Sequence, residues 1–181
     1  MVVLGVTEEE RRASIVIKYR GLKIDKIERE NEKTIVYLTS RSRKYLMMCV
    51  SGQENVGVSY VRDLLALGEK EGIKSLIMVG GGKYTYSAQK MGTDLGIEMI
   101  PPYLPSFDVF KHNLVPKHEV LSEDEKKAVI EKYRAQPFQF PWIKTSDPIS
   151  IILGAQPGDI VKITRNSETA GTYVSYRYVI K

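Results

Sequence analysis

The sequence predicts an α/β unit followed by a smaller α+β unit, and three observations carry that reading. From Lys44 to Ile100 the order strand, helix, strand, helix, strand alternates, which demands crossover connections and a partly parallel sheet. Pro101-Pro102-Tyr103-Leu104-Pro105 then packs three prolines into five residues, a run that neither a helix nor a central strand tolerates. Beyond it, helix caps and tight turns follow in close order and end in two strands. The domains are read as 1–110 and 111–181.

Each element has its own signal. Thr7-Glu8-Glu9-Glu10 fits a capping box, with Thr7 as N-cap and Glu10 reaching back, and opens a helix that stops near Gly21. Residues 22–28 read as a strand with Leu22, Ile24 and Ile27 apolar. Residues 34–39 and 44–50 are further strands, rich in β-branched and aromatic residues. Val58, Val61, Leu64 and Leu65 recur at helical spacing before Gly72. Residues 73–79 form a short apolar strand, 85–95 a helix with Ala88, Met91 and Leu95 on one stripe, and 97–100 another strand.

In the second unit Ser122-Glu123-Asp124-Glu125 is a capping box opening a helix to Arg134. Asp147-Pro148 is an N-cap followed by proline at the first helical position, and Gly154 ends that short helix. Gln156-Pro157-Gly158-Asp159 fits a type II turn with Gly158 at the position of positive φ. Residues 160–164 and 173–180 are strands joined by a polar loop.

Composition narrows the function. The 181 residues are 43 % hydrophobic and 27 % charged, which suffices for a core. A net charge of +5 permits attraction to nucleic acid without demanding it, and no tail or half is markedly basic. No apolar run approaches the roughly 18–20 residues that cross a bilayer, and MVVLGVTEEERR lacks the cationic start of a signal peptide. The single cysteine, Cys49, rules out an internal disulfide; within the apolar run from Tyr45 to Val50 it reads as a buried, inert thiol. His112 and His118 have no cysteine partners and no i,i+4 spacing, so neither a metal nor a cofactor is expected.

Gly80-Gly81-Gly82-Lys83 raises the question of a phosphate loop. A G-x-x-x-x-G-K-[ST] motif needs glycine at 77 and a hydroxyl at 84; the chain has Ile77 and Tyr84. A G-x-G-x-x-G count from Gly80 ends on Thr85. The segment is therefore expected to be a flexible strand-to-helix turn with Lys83 in solvent. No serine nucleophile stands in a G-x-S-x-G setting, and no core strand carries the [DE]-x-K of a magnesium nuclease. No catalytic residue is assigned.

The second unit carries a longer pattern. His112-Asn113-Leu114-Val115-Pro116-Lys117-His118 is followed by Leu121-Ser122, Lys132-Tyr133-Arg134, Ser146-Asp147-Pro148 and Leu153-Gly154. Pro157-Gly158-Asp159-Ile160-Val161-Lys162-Ile163, Arg165-x-Ser167-x-Thr169-x-Gly171 and Tyr176-Arg177 complete the series. This ordered set resembles the H subunit of archaeal RNA polymerase, the module that also forms the C-terminal part of the fifth subunit shared by eukaryotic nuclear RNA polymerases. The resemblance runs from Lys111 to Lys181. The first unit is similar, in element order and through Glu54-Asn55-Val56-Gly57-Val58, to the N-terminal jaw domain of the eukaryotic fifth subunit. That likeness implies a nuclease-like three-layer α/β fold without nuclease residues. One departure is Phe140-Pro141-Trp142-Ile143, where the family has leucine-proline, a basic or polar residue and isoleucine. Trp142 is expected to cover the core or to pack against a partner, with core cover the favoured reading.

The resemblance implies a non-catalytic subunit of DNA-directed RNA polymerase. It would dock on the largest subunit, join the rest of the core and form part of the lower jaw near downstream duplex DNA. It implies no membrane association, and a cytoplasmic location in an archaeon or a nuclear one in a eukaryote. Asp147, Pro148, Arg165, Ser167, Gly171, Tyr176 and Arg177 are the candidate partner-binding residues. Alternation along the last strand sets Tyr176 and Tyr178 on one face and Arg177 on the other. Arg41, Arg43, Lys44 and Lys83 are candidate DNA-phosphate contacts. The alternative reading is a stand-alone DNA-binding module derived from a nuclease fold.

Overall fold

A computed structural model describes residues 4–40, 43–167 and 171–181. The chain divides into two compact units, Met1–Phe107 and Asp108–Lys181. The second unit takes in residues ahead of the 110/111 boundary drawn from sequence. Asp108 Oδ1 accepts from the Phe110 N–H at 3.2 Å, which caps a 3₁₀ turn over Val109–Lys111, and the Phe110 ring meets His118 at 6.0 Å.

The first unit opens with α1 (Glu8–Tyr19) and the antiparallel strands β1 (Lys23–Glu30), β2 (Lys33–Ser40) and β3 (Arg43–Val50). Next come β4 (Asn55–Val56), α2 (Val58–Glu71), β5 (Ser75–Gly80), β6 (Lys83–Tyr84), α3 (Tyr86–Asp94) and β7 (Glu98–Ile100). The main sheet has the order β1-β2-β3-β5-β7. β5 runs parallel to both β3 and β7, as alternating strands and helices require.

Three layers result. Leu46, Met48, Val50, Leu76 and Met78 pack with Val61 and Leu64 of α2 and Ala88 of α3. The alternate residues Met47, Cys49, Ile77 and Val79 are also buried, on the face where α1 contacts β3 and β5. Strands apolar on both faces are what a sheet between two helix layers needs. Cys49 is a buried free thiol, and burial pushes its pKa up. β1 forms the strand read from sequence but lies at the sheet edge: Ile24 is exposed, and a bulge interrupts its register between Ile24 and Lys26. Such irregularity together with charge blunts an open edge.

The capping box at α1 is only half made. Thr7 Oγ1 accepts from the Glu10 N–H at 3.3 Å, but Glu10 reaches past Thr7. Its Oε2 accepts from the N–H groups of Gly5 and Val6 at 3.1 and 3.0 Å. Its Oε1 accepts from Thr34 Oγ1 at 3.0 Å and Arg29 Nε at 3.3 Å. Glu10 is thus a buried tie between the N-terminal arm, β1 and β2.

The second unit contains β8 (Lys117–Val120), α4 (Glu123–Tyr133), β9 (Trp142–Lys144), α5 (Pro148–Leu153), β10 (Ile160–Ser167) and β11 (Gly171–Ile180). Its sheet has the order β8-β10-β11-β9. The predicted caps are in place: Ser122 and Glu125 close a reciprocal box, and Asp147 Oδ1 accepts from the Ile149 N–H at 2.9 Å. Gly158 and Gly171 have φ of 99° and 69°, values that favour glycine. The sheet is covered on both sides. Val129, Phe140 and Ile160 with Tyr176 and Tyr178 form one core. Ala155, Val161, Ile163 and Val179 with Leu153 form the other. Trp142 does not cover either core: it is 61 % exposed, on the edge strand β9.

Candidate functional site

Register decides which side chains of the second unit share a face. Ile163 pairs with His118 of β8 and Ser175 of β11, Val161 pairs with Arg177, and Val179 pairs with Ile143. Residues opposite one another project from the same side of a sheet, as do residues two apart. His118, Ile143, Ile163, Arg165 and Arg177 therefore share the face that α5 covers in part. Beside the start of α5, that face opens as a depression of about 500 Å³, with Asp147 and Trp142 also in its lining.

The depression is cationic. Arg165 and Arg177 are exposed and make no ion pair among the described residues. Arg177 Nη1 donates to the Trp142 carbonyl at 3.0 Å, which fixes one arm of its guanidinium. Asp147 is the one acidic residue in the lining among the described residues. At the half-buried floor, His118 Nδ1 donates to the Pro116 carbonyl at 2.8 Å. Burial lowers the His118 pKa. Pro116 and Asp147 pull the other way, and Arg165 and Arg177 add to the lowering. Burial thus favours the neutral imidazole of His118, and Arg165, Arg177 and Lys144 supply the positive charge of the lining.

Of the predicted partner-binding residues, Asp147, Arg165 and Arg177 thus converge, with Pro148 next to Asp147 at the start of α5. Tyr176 lies on the opposite face, its ring 5.7 Å from Tyr133 and 6.3 Å from Phe140. Ser167 pairs with Gly171 at the far end of the β10–β11 hairpin; the Ser167 side chain lies outside the described residues. His118 and Ile163 join the site without a sequence signal that marks them for it, because the register of β8 against the hairpin is a long-range property.

The candidate DNA contacts do not form one patch. Arg43 and Lys44 begin β3, whereas Lys83 follows β5, whose last residue Gly80 pairs with Val50. The two ends are roughly 20 Å apart along the strands. Lys23 joins Arg43 and Lys44, since Thr39 pairs with both Lys23 and Lys44; Lys74 directly precedes Ser75 at the same end. None of these four forms an ion pair among the described residues. Arg41 lies outside the described residues.

The glycine loop is a packed turn rather than a flexible one. The Gly81 N–H donates to the Val50 carbonyl at 2.9 Å and the Lys83 N–H to the Glu54 carbonyl at 2.9 Å. The Gly80 N–H donates to Tyr84 Oη at 2.7 Å. A Cβ at Gly81 would meet Glu9 Oε1 at 1.9 Å, and one at Gly82 would meet the Glu54 carbonyl oxygen at 2.1 Å. Three amides a phosphate would need are thus engaged, and a carboxylate faces the loop. Lys83 is exposed, as expected.

The second unit has known counterparts. The family described as RNA polymerase Rpb5, C-terminal domain, matches residues 107–179. The DNA-directed RNA polymerase subunit Rpo5 of Pyrococcus abyssi is 59 % identical over 75 residues, 41 % of this chain and 92 % of that protein. The Sulfurisphaera tokodaii counterpart is 53 % identical over 40 % of this chain and 87 % of its own length. The Methanococcoides burtonii counterpart is 44 % identical over 42 % of this chain and 99 % of its own length. All three are described as the same polymerase subunit, and each is matched over most of its length. Through residues 107–179, with their capping box, Asp-Pro cap and arginine-bearing hairpin, this chain belongs to the Rpo5/Rpb5 family of RNA polymerase subunits, the family of the archaeal H subunit.

Proposed function

We propose that the chain is a non-catalytic subunit of DNA-directed RNA polymerase whose second unit docks on the largest subunit. The observation that carries this is the convergence of Asp147, Arg165 and Arg177 on one depression of the module that the relatives share. Two arginines without an ion pair among the described residues, beside a partly apolar floor, are a composition favoured at protein interfaces. The rest of the polymerase core completes the partner set. The first unit, of the nuclease-like jaw type, projects as part of the lower jaw, and Arg43 and Lys44 at one end of its sheet contact the phosphates of downstream duplex without reading sequence, a contact that Lys83 at the other end does not share. Its location follows the polymerase, in the cytoplasm of an archaeon.

Co-expression with the C-terminal region of the cognate largest subunit, followed by gel filtration, tests the docking. A stable one-to-one complex is expected for the wild type. Arg165→Glu with Arg177→Glu is expected to separate the two chains. Clean separation of the wild type at micromolar concentrations would overturn the proposal.

A further inference from the structure

Phe138 and Trp142 lie outside both cores of the second unit, as does Tyr173. Phe138 is 63 % exposed and Trp142 61 % exposed. The Trp142 indole is tied to the Phe138 backbone: Trp142 Nε1 donates to the Phe138 carbonyl at 3.2 Å. That bond runs from the edge strand β9 back to the 3₁₀ turn over Pro137–Gln139. Trp142 also lines the depression that holds Arg165 and Arg177, and Arg177 is anchored on the Trp142 carbonyl. Aromatic surface next to guanidiniums that make no ion pair among the described residues matches the composition of an interface centre.

We infer that Phe138 and Trp142 extend the docking depression into a two-part recognition surface for a segment of the partner polymerase chain. That segment presents an acidic side chain to Arg165 and Arg177 and a neighbouring apolar side chain to Trp142 and Phe138. Charge fixes the first half: Arg165, Arg177 and Lys144 outnumber Asp147 in the lining, so a basic segment is repelled and an acidic one drawn in. The second half follows from rigidity, because an indole pinned by its own N–H loses little freedom when covered. This inference rests on the docking reading and specifies its chemistry.

The chain has a single tryptophan, which makes the test site-specific. The full chain is labelled with 5-fluorotryptophan and titrated with the C-terminal region of the cognate largest subunit. The lone fluorine resonance is expected to shift and to lose its solvent isotope effect on complex formation. Trp142→Ala is expected to weaken the complex about tenfold, the scale of a buried aromatic anchor, and Phe138→Ser to weaken it less. Both substituted side chains are exposed, so thermal melts are expected to stay unchanged. A complex that forms with the resonance undisturbed and with Trp142→Ala binding equally well would overturn the inference while leaving docking intact. Absence of any complex would overturn both.

Discussion

Glu10 is a buried carboxylate that holds its charge. Burial alone pushes its carboxyl pKa up, but hydrogen bonds from the Gly5 N–H, Arg29, the Val6 N–H and Thr34 outweigh burial and hold it below the ordinary value of 4.5. A carboxyl with a depressed folded pKa contributes stability that is fully present above its unfolded pKa and lost as pH falls through the folded one. Glu10→Gln is therefore expected to cost about 1.5–3 kcal/mol at pH 7, the range for charge-assisted bonds. The gap should close as pH drops below 4.5. Urea titrations at neutral pH and well below the folded pKa check this; an equal gap at both would contradict it. Asp147 has two roles that separate by substitution. Asparagine caps a helix as well as aspartate does, whereas alanine costs about 1 kcal/mol. Asp147→Asn should keep the melting temperature while removing the carboxylate of the depression, and Asp147→Ala should lower it.

The glycine loop and the caps act at the scale of elements. Gly82→Ala would drive its Cβ against the carbonyl oxygens of Gln53 and Glu54 at 2.2 and 2.1 Å, which are backbone atoms of the β4 connection and cannot swing away. Gly81→Ala meets the movable end of the Glu9 side chain. Overpacking costs about 1–3 kcal/mol, so Gly82→Ala is expected near the top of that range and Gly81→Ala below it; denaturant midpoints decide the order. Structure is legible in the sequence wherever the signal is local. The Ser122 box, the Asp147-Pro148 cap, and the glycines at 72, 154 and 158 all stand where their neighbours demand them. Glu10 departs from its expected box because its partners on β1 and β2 are distant in sequence. The short strands β4, β6, β8 and β9 are not announced for a different reason: two to four residues carry too little periodicity to signal a pairing.

For the whole molecule, an ordered series of motifs identifies the second unit's family, while the site that the unit carries emerges only from register. Arg165 and Arg177 stand out in the sequence as residues hard to explain by turns and caps; that His118 and Ile163 form their floor depends on β8 pairing with β10. Duplex contact by the first unit is an electrostatic claim with an electrostatic test. If Arg43 and Lys44 each neutralise a phosphate, Arg43→Gln with Lys44→Gln lowers the slope of log affinity against log salt by about 2. Salt titrations of polymerase bound to a duplex template, with and without the two substitutions, measure it; an unchanged slope removes both residues from the duplex contact. The central claim is assembly through the Arg165–Arg177 depression, and one purification tests it most directly. The full chain, tagged, is recovered from its own cells in parallel with the Arg165→Glu, Arg177→Glu variant. The wild type is expected to bring down the two large polymerase subunits in one-to-one stoichiometry, and the variant is not. Wild type recovered free of polymerase, or a variant that retains it in full, would rule out assembly through this depression.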